Sequence, residues 1–271
     1  MVLSVNTNVG AMLALQNLNK TKMKMEATQL AITTGLRVNG PKQDASSYAI
    51  AQNMRGDVAG LQSVKTALAN GEATVNMAIT AGQSVADLLT EMKAKVVQAN
   101  QAGLDAASRT ALHNDFTALR EQISTIVATA EFNGTNLVKA GATATSVLST
   151  VDGPKIAVSA QKMDATTLAI NTQVLNTSAG AATALTAIDT AINSVSDKLA
   201  ALGSVSKRIE VQADFTTKLT DILRAGVGTL VDADLAEESA KLQALQIKQQ
   251  LGVQALSIAN SSAGIALSFF R

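Results

Sequence analysis

Apolar residues near the C-terminal end of the chain recur at spacings of three and four residues, which predict an α-helix. They form two neighbouring stripes. The first stripe contains Ile247, Leu251, Ala255, Ile258, Ser262, Ile265 and Phe269. The second stripe contains Leu242, Leu245, Leu256, Ala259, Ala263 and Leu267. Because apolar side chains occupy two faces, the pattern is typical of a coiled-coil helix that is buried on more than one side.

The N-terminal end has a similar but less regular pattern, and it offers a partner for this helix. Its apolar positions include Val5, Val9, Met12, Leu15, Leu18, Met25 and Ile32. We predict that the two ends pair, and that neighbouring copies of the chain cover the faces that a single pair leaves open. The residues predicted for this subunit interface and its core packing are Val5, Val9, Met12, Leu15, Leu18, Ile247, Leu251, Leu256, Ile258, Ile265 and Phe269. An ordinary helix pair inside a monomer is the alternative.

Charged residues are missing from both ends. Residues 1–19 and 249–270 contain no Asp, Glu, Lys or Arg. A membrane-spanning helix is disfavoured, because Gln250, Gln254 and Asn260 would carry polar groups into hydrocarbon. A secretory signal is also disfavoured, because the start of the chain lacks positive charge. Burial of the apolar side chains does not offset the entropy of fixing the C-terminal backbone, so we expect this segment to order only against partners.

Between the two ends, the sequence predicts long helices around one irregular centre. The first helix is expected to end near Gly35, within a turn-rich connector at 33–41. Asp44 is a candidate N-cap for a second helix from about 45 to 101, which would be roughly 85 Å long. A turn at 103–105 precedes a third helix. The predicted buried face of that helix comprises Leu112, Phe116, Leu119, Ile123, Ile126 and Val127.

The character of the sequence changes at Phe132, after which Thr, Ser, Val and Gly dominate. We predict a small β insert at about 132–178. Its two strands are expected near 146–151 and 155–159, on either side of an Asp-Gly-Pro segment. The proline argues against a tight two-residue turn, so a longer hairpin loop is expected.

Helix returns from about residue 181. Its predicted buried face runs through Leu185, Ile188, Ile192, Val195, Leu199, Leu202, Ile209, Phe215, Leu219 and Leu223. The Gly-Val-Gly sequence at 226–228 predicts an interruption, and the last helix is expected to begin near Asp232 or Asp234.

The predicted fold class is therefore mainly α, with long antiparallel helices forming an elongated coiled-coil rod and a small β-hairpin insert. Two regions are predicted. Residues 1–35 and 232–271 form a paired terminal coiled-coil region, and residues 36–231 form a long-helix region that carries the insert.

The composition leaves little room for catalysis or metal chemistry. The chain is 47% hydrophobic but only 2% aromatic, and it has no cysteine and one histidine. His113 lacks convergent partners for an acid–base or metal role, while Asp232, Asp234, Glu237 and Glu238 lack the spacing of a calcium loop. A net charge of +1 argues against a general attraction to nucleic acid or membrane. We therefore predict no enzymatic activity, no cofactor, no metal, and neither nucleic acid nor membrane as a partner.

Short segments at both ends, taken in order, carry a family likeness. They are Val-Asn-Thr-Asn at 5–8, Ala-Leu-Gln-Asn-Leu-Asn at 14–19, Thr-Gly-Leu-Arg-Val-Asn at 34–39, Lys-Gln-Asp-Ala at 42–45, Glu-Phe-Asn-Gly-Thr-Asn-Leu-Val at 131–138 and Val-Asp-Ala-Asp-Leu-Ala-Glu-Glu at 231–238. Together with the Gln-rich tail that ends at Arg271, they resemble bacterial flagellin. The resemblance covers nearly the whole chain except about 142–180.

The resemblance implies a structural subunit of the flagellar filament, which self-assembles into a helical tube for swimming motility. It further implies secretion through the flagellar type III apparatus and a place outside the cell. The implied partners are other flagellin subunits, flagellar junction and cap proteins, and an export chaperone. The short insert predicts a thin, smooth filament without outer domains. The alternatives are a hook–filament junction protein and, less favoured, a membrane-anchored helical bundle.

Overall fold

The computed structural model of the chain describes the backbone of residues 7–268 and the side chains of residues 7–261. Its elements are α1 (Val9–Thr34), α2 (Ala45–Ala99), α3 (Ala106–Thr129), β1 (Thr145–Leu148), β2 (Lys155–Val158), α4 (Ser178–Val231) and α5 (Leu235–Ser268). Across this described part, the fold is mainly α with one small antiparallel sheet, which confirms the predicted fold class. The second helix ends within two residues of its predicted end.

Glycine and capping carboxylates fix the ends of the first helices. α1 ends before Gly35, whose φ of 70° is a left-handed conformation that glycine adopts without strain. Asp44 precedes α2, and its carboxylate accepts a hydrogen bond of 3.1 Å from the Ser47 N–H. Asp105 precedes α3 and accepts one of 2.9 Å from the Ser108 N–H. The predicted caps of α1 and α2 are thus confirmed.

The predicted interruption at 226–228 is wrong, because α4 continues without a break to Val231. A glycine inside a helix costs about 1 kcal/mol relative to alanine, but packing can outweigh this preference. A Cβ added at Gly226 would lie only 2.7 Å from the Met54 Cε, so the glycine permits a close contact between α2 and α4. The helix ends just afterwards, at Val231. Asp234 then caps α5 as predicted.

The contacts within the chain divide it into two units. One unit contains residues up to 56 together with residues from 222 onward, and the other contains residues 57–221. A small apolar cluster around Val38, Ala51 and Val231 lies in the first unit. The predicted division into a terminal region and a long-helix region concerns the assembled filament, and it stays a prediction.

The second unit has a continuous apolar core, formed by α2, α3, α4 and the insert. Its largest fully buried side chains are Leu68, Leu89, Met92, Phe116, Ile123, Leu137, Met163, Ile170, Leu175, Ile188, Leu202 and Ile209. The buried face of α4 repeats every seven residues through Ile188, Val195, Leu202 and Ile209, and its next position is Thr216. The prediction of a buried Phe215 is therefore wrong, and this side chain is 55% exposed.

The two strands form the predicted hairpin. Thr145 pairs with Val158 and Leu148 pairs with Lys155, in antiparallel register. The loop between them closes through a hydrogen bond of 2.9 Å from the Ser149 N–H to the Pro154 carbonyl. The loop is thus longer than two residues, as the proline indicates.

Three glycines of α2 seat the hairpin and the segment that follows it. Gly60, Gly71 and Gly82 are eleven residues apart, which is close to three helical turns and places them on one face. An added Cβ would lie 2.9 Å from Val151 at the first glycine and 2.8 Å from Val147 at the second. At the third glycine, it would meet Leu199 and Met163 at 2.8 and 3.0 Å. The face is therefore flat enough for the insert to pack directly on the helix backbone.

Candidate subunit interface

The terminal helices α1 and α5 pack against each other along a regular seam. On α1 the positions that turn inward are 11, 14, 18, 21, 25 and 28, alternately three and four residues apart. On α5 they are 238, 242, 245, 249, 252, 256 and 259, with the same alternation. Both sets have the heptad spacing of a coiled coil, so the predicted pairing of the two ends is present within the described residues.

Small residues and polar contacts hold this seam together. A Cβ added at Gly252 would lie 3.3 Å from the Leu18 Cδ1, so the helices approach closely there. The Asn8 side-chain amide donates a hydrogen bond of 2.7 Å to the Ala259 carbonyl. At the other end of the pair, the Ala233 N–H donates to the Gly35 carbonyl at 2.9 Å. The two helices are therefore joined by hydrogen bonds at both ends.

The seam nevertheless buries little. In α1 the fully buried residues are Thr28 and Ala31, and in α5 they are Glu238 and Leu245 among residues 235–261. Two of these four side chains are polar and one is a methyl group. Because buried apolar area supplies most of the stability of a helix pair, this pair is weakly stabilised by its own contacts.

The predicted interface residues fall into two groups. Leu18 and Leu256 lie half-buried in the seam. Val9, Met12, Leu15, Ile247, Leu251 and Ile258 point away from it and are between 48% and 72% exposed. Val5 and Phe269 lie outside the described residues, and Ile265 lies in α5 beyond the described side chains. The pairing of the ends thus leaves six of the predicted side chains uncovered.

The two apolar stripes of α5 have different surroundings. The second stripe, with Leu242, Leu245 and Leu256, faces α1. The first stripe, with Ile247, Leu251 and Ile258, is exposed. We call these three residues the outer stripe. Further exposed apolar side chains of the pair that the sequence reasoning did not single out as interface residues are Leu13, Met23, Leu30, Leu235 and Val253. The only sequence signal for these five residues was that they are large and apolar. Their spacing departs from a regular helical repeat, so periodicity did not assign them to an interface.

One carboxylate lies inside the seam. Glu238 is only 8% exposed, and its Oε1 accepts a hydrogen bond of 2.9 Å from the Lys241 Nζ. Its Oε2 is buried without a hydrogen-bond partner among the described residues. A buried acceptor without a donor costs about 1–3 kcal/mol, and more when it is charged. The pair therefore contains a polar group that its own chain satisfies only in part.

The two capping carboxylates, Asp44 and Asp105, have lowered pKa values, and hydrogen bonds from nearby serines are the cause. A hydrogen bond from the Ser47 hydroxyl holds the pKa of Asp44 below its ordinary value, and the Ser47 N–H acts in the same direction. Hydrogen bonding with Ser108 likewise lowers the pKa of Asp105. In both cases the ionised carboxylate accepts the bond, so the charged form is favoured. These carboxylates therefore serve the helix ends.

No arrangement suited to metal binding occurs in the part of the chain that the structure describes. No group of three or more His, Asp or Glu side chains there could hold a metal ion. The Nδ1 of His113 accepts a long hydrogen bond of 3.4 Å from the Leu175 N–H, which ties α3 to the insert. Among the described helices, none combines the length and apolar character needed to cross a bilayer.

Comparison with known proteins identifies the family. The family description "Bacterial flagellin N-terminal helical region" matches residues 5–143, and "Bacterial flagellin C-terminal helical region" matches residues 185–270. Flagellin FljK of Caulobacter vibrioides is 43% identical over 99% of this chain and 98% of its own length. A flagellin of Brucella melitensis is 36% identical over 99% of both chains.

A solved structure supports the fold. A chain from Vibrio parahaemolyticus, described as a flagellar hook-associated protein, has a TM-score of 0.59 at 15% identity, over 70% of this chain and all of its own. At this identity the likeness concerns the fold alone. The helical architecture is thus found in a solved structure as well.

The ordered helices, the pairing of the two ends and the family matches define a structural, self-assembling class of protein. The chain belongs to the bacterial flagellin family. It is a structural subunit of the flagellar filament, and subunits of this kind assemble with one another outside the cell.

Proposed function

We propose that the outer stripe and the exposed apolar side chains of α1 are the surfaces through which neighbouring subunits hold one another in the filament. The observation that supports this is the exposure of the six predicted side chains after the two ends have paired. Each large apolar side chain contributes roughly 1.5–3 kcal/mol when it becomes buried. Because these side chains are already partly covered in the single chain, each of the six supplies a part of that free energy, and together they favour association between copies.

The same arrangement supports assembly by coupled folding and binding. The seam between α1 and α5 buries few side chains, so an isolated pair gains little from closing. Contacts with neighbouring copies add the missing apolar burial. Loose ends suit passage through a narrow type III export channel, and they become ordered when the subunit joins the filament.

The proposal extends to partners and surface. An export chaperone covers the apolar ends before secretion, and junction and cap proteins contact the two ends of the filament through the same surfaces. The β insert packs on α2 and has only two strands of four residues each. Such an insert adds no separate outer domain, so the filament is thin and smooth. A low-copy junction role is the alternative, and extensive homopolymer growth from seeds would exclude it.

A substitution in the outer stripe tests the proposal. Ile258→Lys places a charge on a side chain that is 61% exposed, so the single subunit keeps the helix content of the wild-type subunit. In the filament the charge would be buried against apolar neighbours, which is strongly unfavourable. We expect normal far-UV circular dichroism of the subunit and no elongation from wild-type seeds, by electron microscopy.

Ile258→Leu is the matched control, because it changes shape at the same position but keeps the apolar surface. We expect this variant to elongate. Normal filaments from Ile258→Lys would contradict the assignment of the outer stripe to the interface.

A further inference from the structure

The part of α4 that precedes residue 221 exposes apolar side chains while it buries polar ones. Val211 and Phe215 lie one turn apart on this helix and are 56% and 55% exposed. Thr216 and Thr220, which turn toward the interior, are only 1% and 8% exposed. A single subunit would gain more by burying a phenylalanine than by burying a threonine, so the folding of one chain alone does not account for this arrangement.

Hydrogen bonds hold the rotation of α4 at this point. The Gln212 side-chain amide donates a hydrogen bond of 2.8 Å to the carbonyl of Ser149, just after β1. The Thr216 hydroxyl donates to the Gln212 carbonyl at 2.8 Å, and the Thr220 hydroxyl donates to the Thr216 carbonyl at 2.7 Å. The inward polar groups thus have partners within the chain, and the outward apolar side chains are the ones left without cover.

Earlier turns of the same helix have the ordinary polarity. Because the buried face repeats every seven residues, the positions that lie one, two and three heptads before Val211 and Phe215 point in the same outward direction. They carry small or polar residues, namely Thr190, Asp197 and Ser204 before Val211, and Ser194, Ala201 and Arg208 before Phe215. Large apolar residues therefore enter these outward positions only when α4 reaches Val211.

We call Val211 and Phe215 the α4 patch, and its surroundings have the composition of a protein interface. The exposed charged residues at its margin are Lys207, Arg208, Asp214 and Lys218. A groove of about 490 Å³ lies beside it, and Ile156 of β2 and Val211 are among the residues that line this groove. An apolar centre with a charged margin is typical of specific interfaces, in which aromatic side chains often supply much of the binding energy.

We infer that the α4 patch is buried against another copy of the chain in the filament, with Phe215 as its anchor. Every subunit carries this surface, and only other copies can cover it along the whole length of a filament. Contacts in a helical assembly join different surfaces of neighbouring copies, so the patch meets a surface other than itself. The inference rests on the proposed self-assembly, to which it adds a contact made by the second unit.

A tryptophan in place of Phe215 reports directly on the burial of the patch. The chain contains no tryptophan, so Phe215→Trp gives a single fluorescent reporter and keeps a large aromatic side chain at this position. We expect this variant to elongate from wild-type seeds. On elongation, its emission should shift to shorter wavelengths and its quenching by acrylamide should fall, compared with the same variant as a dilute subunit. Equal quenching in the filament and in the dilute subunit would overturn the inference.

Polar substitution measures the contribution of the patch to assembly. Phe215→Gln keeps a good helix former but removes the aromatic surface, and we expect the critical concentration for elongation to rise by about tenfold. Phe215→Leu is the apolar control and should stay within about threefold of the wild-type value. Thr216→Val changes the adjacent, inward side chain and should leave the critical concentration unchanged. Circular dichroism of each dilute subunit establishes that the helices persist.

The outcomes distinguish this contact from the assembly surfaces of the terminal helices. A folded wild-type chain that never elongates would refute the proposed self-assembly and the contact that rests on it. Normal elongation of Phe215→Gln, together with failure of Ile258→Lys, would overturn the α4 contact alone. Failure of Phe215→Gln, together with normal elongation of Phe215→Leu and Ile258→Lys, would support the α4 contact and contradict the outer stripe.

Discussion

The seating of the hairpin on α2 predicts that one methyl group in the wrong place destabilises the subunit. An ideal Cβ at Gly71 would lie 2.8 Å from the Val147 Cγ1 and 3.1 Å from its Cβ, and nearer still to the Cγ2. Rotation of the valine cannot relieve this overlap, because its branching carbon is involved. Gly71→Ala therefore requires β1 to shift away from α2.

The magnitude follows from two opposing effects. Alanine in place of glycine favours a helix by about 1 kcal/mol, whereas overpacking a close contact costs about 1–3 kcal/mol. Because both methyl groups and the branching carbon of Val147 are in the way, the upper part of that range applies. We expect Gly71→Ala to lower the free energy of unfolding by about 1–2 kcal/mol.

Gly203→Ala is the matched control, because it makes the same chemical change inside α4, where an added Cβ meets nothing within 4 Å. It should raise the free energy of unfolding by about 0.5–1 kcal/mol. Urea denaturation of the dilute subunit, followed by circular dichroism, measures both values. Equal stabilisation by Gly71→Ala and Gly203→Ala would refute the reasoning. So would a double variant, Gly71→Ala with Val147→Ala, in which the destabilisation by Gly71→Ala is as large as in the wild-type background.

Two further predictions concern the turn between α2 and α3. Arg109 is buried, and its guanidinium donates hydrogen bonds to the carbonyls of Ala99, at the end of α2, and Gln101, just after it. Arg109→Ala should therefore lower the free energy of unfolding, measured by urea denaturation, by about 2–3 kcal/mol. An unchanged midpoint would mean that the guanidinium does not hold the turn. Since hydrogen bonding with Ser108 lowers the pKa of Asp105 below 3.8, the stabilisation by this carboxylate is present above that pH and lost as the pH falls through the lowered pKa. The protection factors of the amides in the first turn of α3, which are corrected for the pH dependence of intrinsic exchange, should therefore fall in acid in the wild type but not in Asp105→Asn. An equal fall in both would exclude this carboxylate as the cause.

Local sequence signals predicted most of the helix boundaries, because the responsible groups act within a few residues. Gly35, Asp44 and Asp234 each mark a helix end through contacts with neighbouring backbone groups. The hairpin could be placed for the same reason. The failure at 226–228 has a tertiary cause, since the contact between Gly226 and Met54 joins residues far apart in sequence.

Periodicity showed that α5 is apolar on two faces, but it could not assign the faces. Leu245 and Ile247 have similar hydrophobicity, and only the position of α1 decides that the first is buried and the second exposed. The burial of Glu238 in the seam was likewise missed, because a carboxylate in the first turn of a helix is ordinarily explained by the helix dipole. The spacing of the α2 glycines was visible in the sequence, but their partners in the insert were not.

The central claim is that the terminal helices are weakly held in a single subunit and become stable only among neighbouring copies. Hydrogen–deuterium exchange of the amides in α1 and α5, compared between the dilute subunit and the filament, measures this directly. We expect fast exchange in the dilute subunit and strong protection in the filament, with α2, α3 and α4 between residues 57 and 221 protected in both. Equal protection of α1 and α5 in the solitary subunit and in the filament would contradict the claim.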